Sequence, residues 1–413
     1  PPEITTEIFS HYVDKPHDIS WKNGGPLVLN RVCQGWREIC LSTCSLWASV
    51  MLINDHWNWD EEIDLRFLQR WISRAGSHPL DLFVVPTPPG SFSPSQFSYH
   101  LDQLSKLLPI LCPYSSQWRT LQIMLYMPNT FSLDMVHGRV ASLTNLSLSM
   151  YPGDKAVTAF RDAPSLRRVT LASPGPLASP GTQSIVLPWT QLTHLTLLNI
   201  FLEKCLEILK ETPNLEVLDV NIPRRRDSPP LVLRLAHLHT FTSRDSRYNL
   251  LNYLTLPSIQ TLQLYHLPTD GPARLLELGI RSAWSPRVIR LDGVAAETAN
   301  LCLRNLPSLE KVEISNQHPS FDPGELVEFL ASDDQFLPAL RELTITCLAE
   351  ISHSALADML VSRGQRKAVA RLKSFHLAFT YNAEITASAL DELTSRVRPL
   401  IEEGLDVQVT LMQ

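Results

Sequence analysis

Leu143-Thr144-Asn145-Leu146-Ser147-Leu148 is the stretch that decides the fold. It reads as an apolar residue, two others, Leu, one other, then Leu or Val. The phrase returns as Leu166-Arg167-Arg168-Val169-Thr170-Leu171, Leu192-Thr193-His194-Leu195-Thr196-Leu197 and Leu215-Glu216-Val217-Leu218-Asp219-Val220. Three later copies are Ile259 to Leu264, Leu309 to Ile314 and Leu340 to Ile345, with weaker ones near Leu238, Val288 and Leu372. The starts at 143, 166, 192 and 215 are 23, 26 and 23 residues apart; those at 309, 340 and 372 are 31 and 32 apart. The alternation inside each phrase has period two, so each is a short strand with one inward face. The stretches Asp154–Ala163, Leu202–Glu211, Glu297–Asn305 and Glu325–Ala331 between phrases read as helices. Pro164, Pro213, Pro257, Pro307 and Pro338 stop what precedes each strand.

This phrase at this period resembles the leucine-rich repeat. The resemblance implies an α/β fold: an irregular solenoid with parallel strands on a concave side and helices on a convex side. The usual Asn of the repeat is mostly missing. Upstream, Leu65, Leu68, Trp71 and Ile72 outline an amphipathic helix over Asp64–Ala75, and Leu80-Asp81-Leu82-Phe83-Val84 alternates as a strand. Residues 51–117 therefore read as a linker and a degenerate capping repeat, and 118–413 as the solenoid. Pro86–Pro94 reads as a loop.

Residues 1–50 carry a different pattern. Pro2 suits a first helical turn, Glu3 and Glu7 suit the positive end of the helix dipole, and Ile4, Ile8, Phe9 and Tyr12 give an apolar stripe. Asp14–Gly25 reads as a loop. A second helix from Pro26 is expected to carry Val32, Trp36, Ile39 and Cys40 on one face. The spacing of Pro2-Glu3-Ile4, Ile8-Phe9, Leu27, Val32-Cys33, Trp36-Arg37 and Leu46-Trp47 resembles the F-box. The family's leading Leu would lie before Pro1, so a longer natural chain is expected. The resemblance implies docking on a Skp-type adaptor, and through it a cullin, by Pro2, Ile4, Ile8, Leu27, Val32, Cys33 and Trp36. With its ragged repeats the arrangement is similar to the F-box-like proteins of mushroom-forming fungi.

Other function classes find little support. The net charge of −6 leaves no electrostatic footprint for nucleic acid. No apolar run is long enough for a membrane span, and no signal-peptide pattern is present. The seven Cys form no CxxC pair, which suits a reducing cytoplasmic or nuclear setting rather than a disulfide or zinc site. Phosphate-loop, nucleophile-elbow, zinc-protease and dinucleotide motifs are absent, so no catalysis and no cofactor are expected. His237 and His239 share a strand face by spacing, but without a third ligand they read as solvent-facing. Arg224-Arg225-Arg226-Asp227 reads as a solvated basic loop. Asn145-Leu146-Ser147 fits the glycosylation pattern by letter only, since it falls within a strand.

By register, Asn145, Ser147, Arg168, Thr170, His194, Thr196, Val217, Asp219, Thr261, Gln263, Tyr265, Lys311, Glu313, Glu342 and Thr344 point out of the concave face. Of these, Arg168, His194, Asp219, Gln263, Tyr265, Lys311, Glu313 and Glu342 are the candidate contacts for a target protein. Two readings follow. The chain is a substrate receptor of an SCF ubiquitin ligase, or a protein-binding repeat scaffold outside any ligase whose N-terminal helices only cap the repeats. Exposure of Leu27, Val32 and Trp36 separates them.

Overall fold

The computed structural model describes residues 1–13, 24–53, 62–85, 104–125, 133–150, 156–173, 185–222, 232–244, 249–316, 322–347, 352–380 and 387–412. Most of the Asp14–Gly25 segment, the Pro86–Pro94 segment and the Arg224–Asp227 run lie outside these residues. The chain forms two compact units, Pro1–Ile200 and Phe201–Gln413.

The first unit opens with three short helices, α1 (Pro2–Tyr12), α2 (Pro26–Leu29) and α3 (Gln34–Ser42). A 3-10 turn at Cys44–Trp47 leads into β1 (Ser49–Ile53). Then come α4 (Glu62–Arg74), β2 (Leu80–Val85), α5 (residues 104–111), β3 (Trp118–Leu125), β4 (Asn145–Met150), β5 (Arg168–Ala172) and β6 (His194–Leu198). The six strands pair in sequence order, all parallel. The sheet therefore begins at Ser49, well before the first clear phrase.

The N-terminal helices are joined to this sheet through tryptophans. Trp47 is fully buried; its Nε1 donates to Cys40 O at 2.9 Å. Trp71 of α4 meets it edge-on, with ring centroids 4.9 Å apart, and its Nε1 donates to Trp47 O at 3.1 Å. Both indole donors are thus satisfied, and the Arg74 guanidinium lies over the Trp47 ring 4.5 Å from its centroid.

Two helix readings are corrected here. The single helix expected from Pro26 is broken: Cys33 is extended, with φ −157° and ψ 172°, and α3 starts only after it. Val32 therefore sits in the turn between α2 and α3, off the face that carries Trp36 and Cys40. Asp154–Ala163 is no helix where it is described. Val157 bridges Ile185 in parallel, and Ala159 and Phe160 are buried in a turn. Here Val157 is taken up by the parallel bridge to Ile185, and the β-branched pair Val157-Thr158 suits extended rather than helical backbone.

In the second unit the repeats regain their helices. Its elements are α6 (Leu202–Lys210), β7 (Val217–Asn221), β8 (Leu233–Arg234), β9 (Thr240–Ser243), β10 (Leu254–Thr255), β11 (Thr261–Tyr265), α7 (Gly271–Ser282), β12 (Val288–Asp292), α8 (Ala296–Arg304), β13 (Lys311–Asn316), α9 (Gly324–Ser332), β14 (Glu342–Cys347), α10 (His353–Gln365), β15 (Ser374–Thr380), α11 (Ala387–Glu402) and β16 (Asp406–Met412). Strands β7, β9 and β11 to β16 form one parallel sheet, while β8 and β10 pair apart as a small second sheet. Helices α6, α8 and α9 match the expected stretches; α7, α10 and α11 lie outside them. Acidic residues begin and basic residues end α6 and α8 (Glu203 and Lys210, Glu297 and Arg304), as the helix dipole favours.

Along most strands burial alternates, so one sheet face is closed over by the connections and the other is open. In the second unit Leu218, Phe241, Leu262, Ile289, Val312, Leu343 and Phe375 stack in register, each at most 1% exposed. Buried turn carbonyls are the cost of this stacking, and side chains one repeat later satisfy them. Arg281 donates to Leu251 O and Leu254 O at 2.7 and 2.9 Å. Arg363, 1% exposed, donates to Phe336 O and Leu337 O at 3.4 and 2.7 Å. Burial lowers the pKa of Arg363 to about 10, with the nearby Arg366 acting in the same direction. Two Asn residues do related work: Asn316 donates to Val294 O and Asn199 to Ser173 O.

Arg363→Ala should destabilise the second unit by about 3 kcal/mol, since two buried carbonyls lose a charged donor. Chemical denaturation followed by circular dichroism reads this. A loss below about 1 kcal/mol would show that the turn does not depend on the guanidinium.

Candidate docking surfaces

The N-terminal helices divide their apolar residues between two faces. On α1, Phe9 turns inward with Val13, while Ile4 and Ile8 are each 60% exposed and Tyr12 is 50% exposed. Trp36 of α3 packs on Phe9 with ring centroids 4.8 Å apart and is only half-exposed. Trp36, expected among the docking residues, thus also holds α3 against α1. Leu27 is half-buried, whereas Pro2, Val32 (57%) and Cys33 are exposed. Val28 and Leu41 are exposed too. Six of the twelve large apolar side chains exposed among the described residues lie within the first 41 residues. On α1, Ile4, Ile8 and Tyr12 follow one another at four-residue spacing and so share one helix face.

The seven cysteines differ sharply. Cys33 is exposed and Cys44 is half-buried; the other five are buried. Cys33, Cys40 and Cys44 do not share a helix face, since Cys33 precedes α3 and Cys44 follows it. Burial pushes the Cys40 and Cys112 thiols up to about 11 and that of Cys302 to about 12.

Every residue expected on the open sheet face is found there. In the first unit, Asn145, Arg168 and His194 form one row across β4, β5 and β6, with Ser147, Thr170 and Thr196 in the next. Asn145 Nδ2 donates to Thr120 Oγ1 at 3.1 Å, so this amide is already engaged. His194 Nδ1 lies 2.9 Å from Thr193 Oγ1. Arg119 grips Asp81 with two nitrogens, and this hydrogen bond raises the Arg119 pKa further.

In the second unit the open face is an ionic lattice. Lys311 Nζ lies 3.1 Å from both Glu313 Oε1 and Glu342 Oε2, and Arg290 Nε lies 2.7 Å from Glu313 Oε2. Hydrogen bonds to Glu313 and then Glu342 raise the Lys311 pKa. Beside the lattice, the Arg244 guanidinium stacks 4.2 Å from the Tyr265 ring centroid and lies 3.5 Å from Asp219 Oδ1. Gln263 Nε2 donates to the Tyr265 hydroxyl. Thr242 is buried although its register puts it on the open face between Asp219 and Gln263. Sequence reading named Asp219, Gln263 and Tyr265 but missed Arg244 and Arg290. Arg244 falls just beyond its strand, and Arg290 belongs to a weak copy of the phrase.

No cluster of three or more metal-ligating side chains occurs among the described residues. His237 and His239 precede β9 rather than lie on it; His239 stands 3.8 Å from Glu216. Among the described residues no helix is long and apolar enough to cross a membrane.

No family model matches the chain, and no curated protein matches it. Among the solved structures that do match is the crystal structure of the TLR13-ssRNA13 complex, at 14% identity and a TM-score of 0.34, over 66% of this chain and 44% of that chain. The present chain thus spans less than half the length of that neighbour. So distant a likeness carries no weight here, and the repeat architecture rests on the strand order and register described above.

The exposure pattern gives a direct check. A thiol reagent at about pH 8 should label Cys33 first, and the five buried thiols only on unfolding, because the thiolate is the reacting form and burial disfavours it. Labelling sites read by peptide mass spectrometry decide this.

Proposed function

We propose that this chain is a non-catalytic docking protein. Its N-terminal helices bind a Skp-type adaptor of an SCF ubiquitin ligase, and its open sheet faces hold a target protein. The chain would then supply proximity and orientation and change no bond itself. One observation carries the reading: the concentration of exposed Ile4, Ile8, Tyr12, Val28, Val32 and Leu41 on a small helical module. A module that merely sealed the end of the repeats would turn such residues inward. The spacing that resembles the F-box adds the identity of the adaptor.

A second reading, a repeat scaffold outside any ligase, has its own support. The junction of Trp47, Cys40 and Trp71 makes the N-terminal helices continuous with the first repeat, which is what a cap requires. The two roles are compatible in structure, and adaptor binding separates them.

Calorimetric titration with a purified Skp-type adaptor is the test. Trp36→Ala is a poor probe, because it also removes the partner of Phe9. Ile8→Asp and Val32→Asp alter exposed side chains instead. Each should weaken binding at least about tenfold while leaving the thermal midpoint nearly unchanged, since apolar anchors dominate interface energies. The adaptor should also protect Cys33 from thiol labelling. Absence of binding, repeated with a longer N-terminus, would leave the scaffold reading.

A further inference from the structure

Each unit has its own open sheet face, and the two faces treat charge differently. In the second unit Arg244 stands beside Asp219, Arg290 beside Glu313, and Lys311 between Glu313 and Glu342. An incoming charge must break one of these pairs, and separating a pair costs what binding would gain. In the first unit the only acid on the described open face is Asp81, and Arg119 already holds it. Arg168 has no hydrogen bond or ion pair from its side chain among the described residues, and it is exposed. It lies in the row of Asn145 and His194, on a strand between two others. Beneath that row run the hydroxyls of Ser147, Thr170 and Thr196. Arg167 adds a second positive charge at the strand's start, with Nη1 on Pro164 O and Leu166 O at 3.0 and 2.9 Å. The result is a net-positive sheet face of neutral donors around one unengaged guanidinium.

We propose that this face takes an acidic segment of the target protein, with a carboxylate seated on Arg168 and the flanking side chains as lesser contacts. The proposal rests on the reading that the sheet faces hold a target, and it names what kind of segment the first unit takes. A guanidinium offers a carboxylate two parallel N–H donors, and here it gives up no earlier partner to do so. Rows of hydroxyls about 4.8 Å apart across the strands offer further donors to an extended chain laid over them.

The test uses the full chain and fluorescence anisotropy at low salt. Its probes are a labelled peptide of about twelve residues alternating Glu and Gly, the Lys–Gly counterpart and a single-stranded oligouridine of similar length. The acidic peptide should bind and the basic one should not. Arg168→Glu should weaken acidic binding at least about tenfold, and Arg168→Lys should restore most of it, since charge is kept and only the two-point geometry is lost. Lys204→Glu, the same charge reversal on the exposed side of α6, should leave it unchanged. No effect of Arg168→Glu, or an equal effect of Lys204→Glu, would overturn the proposal. So would tighter, Arg168-dependent binding of the oligouridine, which would give the face to nucleic acid. Adaptor calorimetry on Arg168→Glu keeps the two readings apart. Intact adaptor binding without acidic-peptide binding overturns this proposal alone. Arg168-dependent peptide binding without adaptor binding overturns the ligase reading alone.

Discussion

In-register parallel stacking of an apolar row within each unit is the constraint on which everything else hangs. Leu146, Val169 and Leu195 in the first unit, and Leu218 through Phe375 in the second, stand side by side across successive strands. Because side chains alternate, a slip of one residue would send this whole row to the solvent face. The row therefore fixes the pairing of the strands of the main sheet in each unit, and with it which residues reach the open face. The candidate contacts for a target are a geometric consequence of the core.

Parallel stacking brings its own difficulty. Each strand must be left and re-entered through a connection, and the tight turns bury backbone carbonyls that the sheet cannot satisfy. The chain answers with long side chains from the following repeat, Arg281, Arg363 and Asn316 among them. Leaving the strands also demands left-handed backbone at Asn199, His266 and Gly293, each directly after a strand. Only Gly293 adopts it freely; Asn tolerates it, and His266 must be held there by the surrounding fold. These devices vary from repeat to repeat, which is why the repeats look ragged in sequence while the sheet stays regular.

The surfaces divide the work by chemistry. Exposed apolar side chains gather on the N-terminal helices, where Trp36 and Phe9 form a small internal support. The second unit's sheet face is neutralised by its own lattice, and the first unit's face keeps a cation in reserve. The three surfaces thus differ in kind: one apolar, one internally paired and one carrying an exposed guanidinium.

Much of this was legible in the residues. Period-two phrases at a near-constant interval determine strands, parallel pairing and the inward row, because only one register buries Leu146 and Leu148 together; Arg168, Gln263, Lys311 and Glu342 were placed on the open face on that ground alone. Propensity was less informative where the chain was short. The break at Cys33 and the turn at Ala159 and Phe160 follow from how the chain packs, and the weak copies around Val288 hid Arg290. Pairing of charges was beyond reach altogether. Lys311 meets Glu342 from a strand one repeat later, and Arg168 meets no carboxylate among the described residues, for a reason no linear pattern contains: which side chains share a row is settled by sequence, but which of them find a partner at bonding distance is settled only when the rows are folded side by side.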